Sequence, residues 1–199
     1  MRAIAASVLT VTMVMMSGGP PPAASSATLT VRLYNTSGIP ADELGSARNA
    51  ADAILRGTGI DVMFRPCGPS AGGTDSCDEP LKRSEVVVRV IDAPTFNATL
   101  HPDAYGVAYI VKETNRGWLA TVFSDRTGAA AERIGVEPGM LLGRVMAHEI
   151  GHLLLGVDYH GPVGVMRAEW TDDLLNSGRD DWRFSMTEAE RMQRVVASL

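Results

Sequence analysis

One stretch of this 199-residue sequence, residues 139–155, is apolar almost all the way round a helix. Its large apolar side chains recur at spacings of three and four residues, which indicates a helix that must be surrounded by the rest of the chain. These side chains are Leu141, Leu142, Val145, Met146, Ile150, Leu153 and Leu154. Because 45% of the residues are hydrophobic, the chain can bury one core of this kind, and we expect a single compact domain.

Three ionisable residues interrupt this helix in the order His148-Glu149-Ile150-Gly151-His152. Residues four apart lie on one face of a helix, so both imidazoles can bind one ion. Zinc suits imidazole nitrogen, and Glu149 is placed to accept a proton from a water at that ion as general base. The alternative is a pair of core histidines satisfied by hydrogen bonds. Since burying these groups without partners is costly, the motif favours a zinc site with ligands His148 and His152.

A third protein ligand is needed to hold zinc firmly, and the sequence offers three candidates after the motif. They are His160, Asp158 and Glu169. Three of the four histidines of the chain fall between positions 148 and 160, which favours His160. Glu169 would give a different architecture, which resembles the later glutamate ligand of thermolysin-like enzymes, but a loop containing glycine and proline separates it from the motif.

The segment HEIGHLLLGVDYHGPVGVM, residues 148–166, resembles the metzincin clan of zinc peptidases, whose signature is HExxHxxGxxH followed by a methionine turn. Gly156 comes four residues after the second histidine instead of three, and His160 comes eight residues after it instead of six. The resemblance implies His160 as the third zinc ligand, with Asp158 as the alternative, and Met166 as the methionine beneath the ligands. The segment is also similar to small exported bacterial proteins that carry HEIGHLLLG and GVMR and are known only as candidate metallopeptidases.

The remaining sequence predicts a series of strands with few helices between them. Runs rich in β-branched residues indicate strands, and a helix opened by Pro40 lies between the first two. The predicted strands are 28–34, 60–65, 84–91, 105–111 and 118–124, and a helix over 187–199, opened by a threonine cap, ends the chain. This order resembles that of metzincins, which implies an α+β fold with a mixed twisted sheet of about five strands, a central zinc-binding helix and a C-terminal helix.

Residues 1–27 have the pattern of a secretory signal peptide. Arg2 precedes an apolar run over 3–16, and small residues and prolines follow it. The run is too short to span a bilayer comfortably, which disfavours an uncleaved membrane anchor. We therefore expect a secreted or periplasmic protein, not inserted in the membrane after cleavage, in which residues 28–199 form one catalytic domain of the zinc metallopeptidase kind.

Export also decides how the two cysteines are interpreted. Cys67 and Cys77 lie in a segment rich in glycine and serine, and an oxidising compartment favours a disulfide between them over a metal-binding or redox pair. The formal charge of −5 lacks the basic footprint of a nucleic-acid binder, so nucleic acid is excluded as a partner.

These observations and the resemblance predict an exported zinc-dependent metallopeptidase, specifically an endopeptidase, that acts as a monomer. The resemblance places an extended peptide or protein substrate antiparallel to an edge strand, for which Gly106–Val111 is the candidate. Two alternatives remain. One is a zinc-binding module without activity, against which the intact Glu149 counts, and the other is a zinc amidohydrolase that acts on non-peptide amides.

Overall fold

A computed structural model of the chain describes residues 28–68, 77–94, 103–156 and 160–199. The predicted signal peptide, residues 1–27, lies outside the described residues, as does the candidate ligand Asp158. The strands are β1 (Thr28–Asn35), β2 (Asp61–Cys67), β3 (Glu85–Ile91), β4 (Gly106–Val111) and β5 (Arg116–Phe123). The helices are α1 (Ala41–Arg56), α2 (Ser124–Ile134), α3 (Pro138–Leu155), α4 (Asp172–Leu175) and α5 (Met186–Ala197), with a 3-10 helix at Arg179–Trp182.

The five strands form one mixed sheet in the order β2-β1-β3-β5-β4. The first four strands of this order run parallel to one another, whereas β4 pairs antiparallel with β5 and forms one edge. The predicted mixed sheet of about five strands is therefore confirmed, together with the helix between the first two strands, the central helix and the C-terminal helix. Among the described residues, no helix combines the length and the apolar character needed to cross a membrane.

Helix α3 is the centre of the core. Every residue of α3 except Pro138 and Met140 is buried, as its apolar sequence predicts. The helix packs on β5, β4 and β3 and also against α1. At the crossing with α1 the backbones approach so closely that a Cβ at Gly143 would lie 2.6 Å from the Cβ of Ala50. A glycine is required there because any side chain would push the two helices apart.

The ends of α3 are fixed by residues just outside it. The Glu137 carboxylate accepts hydrogen bonds from the N–H groups of Gly139 and Met140, which otherwise have no partner in the first turn. At the other end Gly156 adopts a left-handed conformation with φ +68°, which only glycine adopts without strain. The chain therefore leaves the helix one turn after His152.

Two details of the helix predictions differ from the structure. The cap of α5 is Ser185 rather than the predicted threonine: the Ser185 hydroxyl accepts from the Glu188 N–H, and the Glu188 carboxylate accepts from the Ser185 N–H. Helix α2 is absent from the predicted elements altogether. Its buried residues are small, so no spacing of large apolar side chains marks it in the sequence.

The sheet face opposite α3 carries a buried ion pair. Arg32 of β1 and Glu85 of β3 are both almost fully buried, and their side chains lie 2.5 Å apart. Burial opposes the ionisation of Glu85, but hydrogen bonds from the Lys82 N–H and Arg32, with the charges of Arg32 and Arg65, hold its pKa below 4.5. Arg32 also donates to the backbone carbonyl of Cys77, which ties the segment after the cysteine loop to the sheet.

A disulfide joins Cys67, at the end of β2, to Cys77, as the sequence predicts, with 5.8 Å between the Cα atoms. It lies at the edge of the sheet formed by β2, whereas β4 forms the other edge. The disulfide therefore closes the loop between β2 and β3 away from the histidine motif.

Candidate metal centre and cleft

His148 and His152 lie one helical turn apart on α3, and both imidazoles are buried. Their Nε2 atoms are 3.0 Å apart. The Nδ1 of His148 lies 2.7 Å from the carbonyl oxygen of Val165, so this nitrogen is the donor and Nε2 is left as a free ligand atom. Burial, together with the imidazole of His152, lowers the pKa of His148 to about 3, which keeps it in the neutral form that binds metal.

His160 approaches the same point from the segment after α3. Its ring centroid lies 4.9 Å from that of His152 and 5.4 Å from that of His148. One nitrogen from each of the three imidazoles falls within 4.8 Å of the others. The structure therefore brings together His148, His152 and His160. Glu169 is exposed and lies outside this cluster.

Met166 packs directly beneath the helix turn that carries the two histidines. It is fully buried, and a Cβ at Gly151 would lie 2.6 Å from its Sδ atom. The Gly161 N–H donates to the Met166 carbonyl at 2.7 Å, which closes the segment after His160 into a compact turn. The same turn thus carries the third imidazole and the methionine that packs under the first two.

The Glu149 carboxyl points towards the edge strand β4. It is buried, and a Cβ at Gly106 would lie 2.7 Å from its Oε1 atom. Burial raises the pKa of Glu149 to about 8. Burial alone thus favours the protonated carboxyl, whereas a cation held by the neighbouring imidazoles would favour the carboxylate, the form that acts as a base.

A cleft of about 940 Å3 opens over the three histidines, between β4 and the segment 160–170. Its lining includes Gly106, Val107, Ala108 and Ile110 of β4 together with Val145, His148, Glu149, His152, His160, Arg167, Glu169 and Trp170, and also the residues 103–105. The cleft therefore runs beside β4, the edge strand of the described sheet, and the histidine cluster lies in its lining.

Aromatic side chains form one wall of this cleft, which the sequence did not predict. The Trp170 ring contacts the His148 ring edge-on, with 5.4 Å between the centroids. The Tyr105 ring also lies near Trp170, with 6.2 Å between the ring centroids. Behind Trp170 lies the fully buried Trp182, with 4.8 Å between the ring centroids. Trp182 is thus an anchor of the core, whereas the half-buried Trp170 lines the cleft.

Arg144 supports this wall from α3, one turn before His148. It is buried, donates to the carbonyls of Leu175 and Ser177, and stacks its guanidinium 4.3 Å from the centroid of the Trp182 ring. The signal available in the sequence was an arginine in a helix whose other ionisable residues all belong to the histidine motif. Its partners are 31 and 33 residues away, so the sequence could not identify them.

The donor set fits a zinc ion. Zinc binds imidazole nitrogen at about 2.0–2.1 Å in tetrahedral geometry, so its ligand atoms lie roughly 3.3 Å apart. The 3.0 Å between the Nε2 atoms of His148 and His152 is close to that separation. Three imidazoles leave a fourth position for water or substrate, which is typical of catalytic zinc sites rather than structural ones.

The structure is an α+β fold whose central helix carries two of the three clustered histidines. No family model matches the sequence, and no curated protein does. The fold matches that of archaemetzincin from Methanopyrus kandleri with a TM-score of 0.54 and 17% identity, over 88% of this chain and 99% of that chain. At this level of identity the likeness concerns the fold, and the predicted metzincin-like fold is confirmed.

Proposed function

We propose that the chain is a zinc-dependent metallopeptidase. The observation that carries the proposal is the convergence of His148, His152 and His160 in the lining of a cleft that also holds the Glu149 carboxyl. The fold shared with archaemetzincin supports the same class of function. A buried carboxyl next to three imidazoles is the donor set that metal-assisted hydrolysis requires.

Each residue of the cluster has a separate role in this proposal. His148, His152 and His160 hold the metal, and the Val165 carbonyl orients the ring of His148. Zinc bound there would lower the pKa of a water molecule and polarise the carbonyl under attack. Glu149 accepts the proton of the attacking water and delivers it to the leaving amine.

The proposed substrate is an extended peptide that lies antiparallel to β4. Within the part of the chain that the structure describes, this strand, Gly106–Val111, pairs with β5 alone, so its outer edge offers backbone groups for pairing. The cleft lies along it and reaches the histidine cluster. Backbone pairing would hold a peptide with little dependence on its sequence, and the side chains lining the cleft would select among peptides.

We further propose that the protein is exported, that residues 1–27 are removed as a signal peptide, and that it acts as a monomer. The disulfide between Cys67 and Cys77 supports an oxidising compartment. Mass spectrometry of the protein recovered outside the cytoplasm tests the cleavage, and a mature chain that begins near position 28 is the expected result.

The test of the zinc site compares metal content in the wild type and in His160→Ala, with Glu169→Ala as the matched control. We expect about one zinc per chain in the wild type and in Glu169→Ala, and a clear loss in His160→Ala, because two imidazoles bind zinc weakly. No zinc in the metal-loaded wild type, or loss in Glu169→Ala alone, contradicts the proposal. Asp158→Ala tests the alternative ligand in the same way.

The test of the activity uses a broad peptide library and the Glu149→Gln variant. We expect the wild type to cleave peptides and the variant to keep its zinc while turnover falls by about 10²–10⁴-fold. A zinc-loaded wild type that cleaves no peptide leaves the two alternatives. Hydrolysis of small acyl amides then supports an amidohydrolase, and its absence supports a zinc-binding module.

A further inference from the structure

One guanidinium lines the cleft of the proposed zinc site. Arg167 is half-buried, and among the described residues it is the only lysine or arginine in the cleft lining. None of the carboxylates that the structure describes lies within ion-pair distance of it. The cleft therefore offers a positive charge that the described part of the chain leaves without an ion-pair partner.

The backbone of Arg167 is fixed next to the third imidazole. Arg167 forms a bridge with Gly161, the residue after His160, and its carbonyl accepts a hydrogen bond from the Trp170 indole at 3.2 Å. It also follows Met166, which is packed beneath α3. The side chain therefore starts from a rigid point beside the histidine cluster, on the turn that carries His160.

A guanidinium in this position is suited to one chemical group. Its planar fork of N–H donors matches the two oxygens of a carboxylate, and the pair is stronger where the walls exclude water. The wall beside Arg167 is the indole of Trp170, which contacts His148. The exposed acids of the cleft lining, Asp103 and Glu169, repel a carboxylate, so Arg167 is the charged side chain of the described lining that attracts one.

We propose that Arg167 binds a carboxylate of the substrate near the scissile bond, so that the enzyme prefers peptides that carry a carboxylate at that position. This inference rests on the proposed peptidase function and specifies its substrate class. The carboxylate can belong to an acidic side chain or to the free C-terminus of the peptide, and the two sources share the same chemistry. Arg167 is a specificity-determining residue in this scheme, whereas Glu149 remains the catalytic base.

The experiment measures binding of three peptide hydroxamates to the zinc-loaded protein by calorimetry. All three share the same zinc-binding group and leucine, followed by glutamate amide, glutamine amide, or glutamine with a free C-terminal carboxylate. The variants are Arg167→Gln, Arg167→Lys and the control Arg194→Gln, which changes an exposed arginine of α5. Thermal unfolding of each variant checks that it is folded.

We expect the wild type and Arg194→Gln to bind at least one acidic probe about ten- to a hundredfold more tightly than the neutral probe, since hydrogen bonds to charged groups are strong. Arg167→Gln should lose this preference and bind the neutral probe normally, and Arg167→Lys should keep part of it. Preference for the glutamate amide identifies a side chain, and preference for the free carboxylate identifies a C-terminus.

Equal binding of all three probes by the wild type overturns the inference while the proposed zinc site stands. Absence of binding by every probe overturns the proposed function and the inference with it. A loss of affinity for all probes in a folded Arg167→Gln also overturns it, because Arg167 would then act at the common zinc-binding group and not at the carboxylate.

Discussion

The position of Glu149 can be tested without changing Glu149 itself. The edge strand β4 leaves room for its carboxyl because residue 106 is glycine. In Gly106→Ala the new Cβ would lie 2.7 Å from the Glu149 Oε1, 2.9 Å from its Cγ and 2.9 Å from the carbonyl oxygen of Thr121. Ordinary van der Waals contacts of a Cβ begin near 3.4 Å, so the new Cβ and the Glu149 Oε1 must move apart by about 0.7 Å (3.4 − 2.7).

The side chain of Glu149 should absorb most of this shift. The Thr121 carbonyl belongs to β5, whose backbone is held between β3 and β4, so it is harder to move than the end of a side chain. A misplacement of about 1 Å in a catalytic group can cost on the order of 10²-fold in rate. We therefore expect kcat of Gly106→Ala to fall by roughly 10–10²-fold.

The assay combines peptide cleavage with zinc content and thermal unfolding. Zinc content should stay at the wild-type level, because the three nearest atoms to the added methyl group belong to Glu149 and Thr121 and not to the histidines. Gly128→Ala is the matched control: its Cβ meets no atom within 4 Å, and alanine favours the helix, so activity should be unchanged and stability slightly higher. Wild-type kcat in a folded, zinc-loaded Gly106→Ala would refute the assigned position and role of the Glu149 carboxyl.

Two further predictions concern the stability of the sheet away from the histidine cluster. Glu85→Gln removes the charge that pairs with the buried Arg32, so the free energy of unfolding should fall by about 3 kcal/mol at pH 7 in urea titrations. Because the folded pKa of Glu85 lies below 4.5, the wild type has this stabilisation above pH 4.5 and loses it as the pH falls through the folded pKa. If the gap in unfolding free energy between the wild type and Glu85→Gln instead grew below pH 4.5, the reasoning would be contradicted. Replacing Cys67 and Cys77 together by serine should cost about 2–3 kcal/mol in the same titrations, from the loop entropy of a separation of 10 residues. Zinc content should not change, and loss of zinc would show that the disulfide supports the metal centre.

The sequence predicted the parts of the fold that depend on local spacing. The apolar stretch around His148 predicted a buried helix over 139–155, and α3 covers Pro138–Leu155. β3 was predicted at 84–91 and covers Glu85–Ile91, because a run of valines marks a strand buried on one face. α2 escaped prediction because its buried side chains are small, and local spacing does not distinguish them from a loop.

The candidate site was predictable to the extent that one helix holds it. The spacing of His148 and His152 follows from helix geometry alone. The choice among three third ligands could not be made from helix geometry, since it depends on where the chain returns after Gly156. The roles of Arg144 and Trp170 could not be predicted for a similar reason. Arg144 donates to a carbonyl 31 residues away, and Trp170 lines a cleft that exists only in the folded protein.

Helix α3 and the turn after it form one unit, and this makes metal binding sensitive to packing. The Val165 carbonyl fixes the ring of His148, and the adjacent Met166 fills the space under Gly151. His160 and Arg167 are joined through the same turn, since Gly161 follows the first and bridges to the second. A Cβ at Gly151 would lie 2.6 Å from the Met166 Sδ and 2.8 Å from the Phe184 ring, so both side chains would have to shift. The glycine between the two helical histidines therefore leaves room for the side chains that pack beneath them, independently of any role in catalysis.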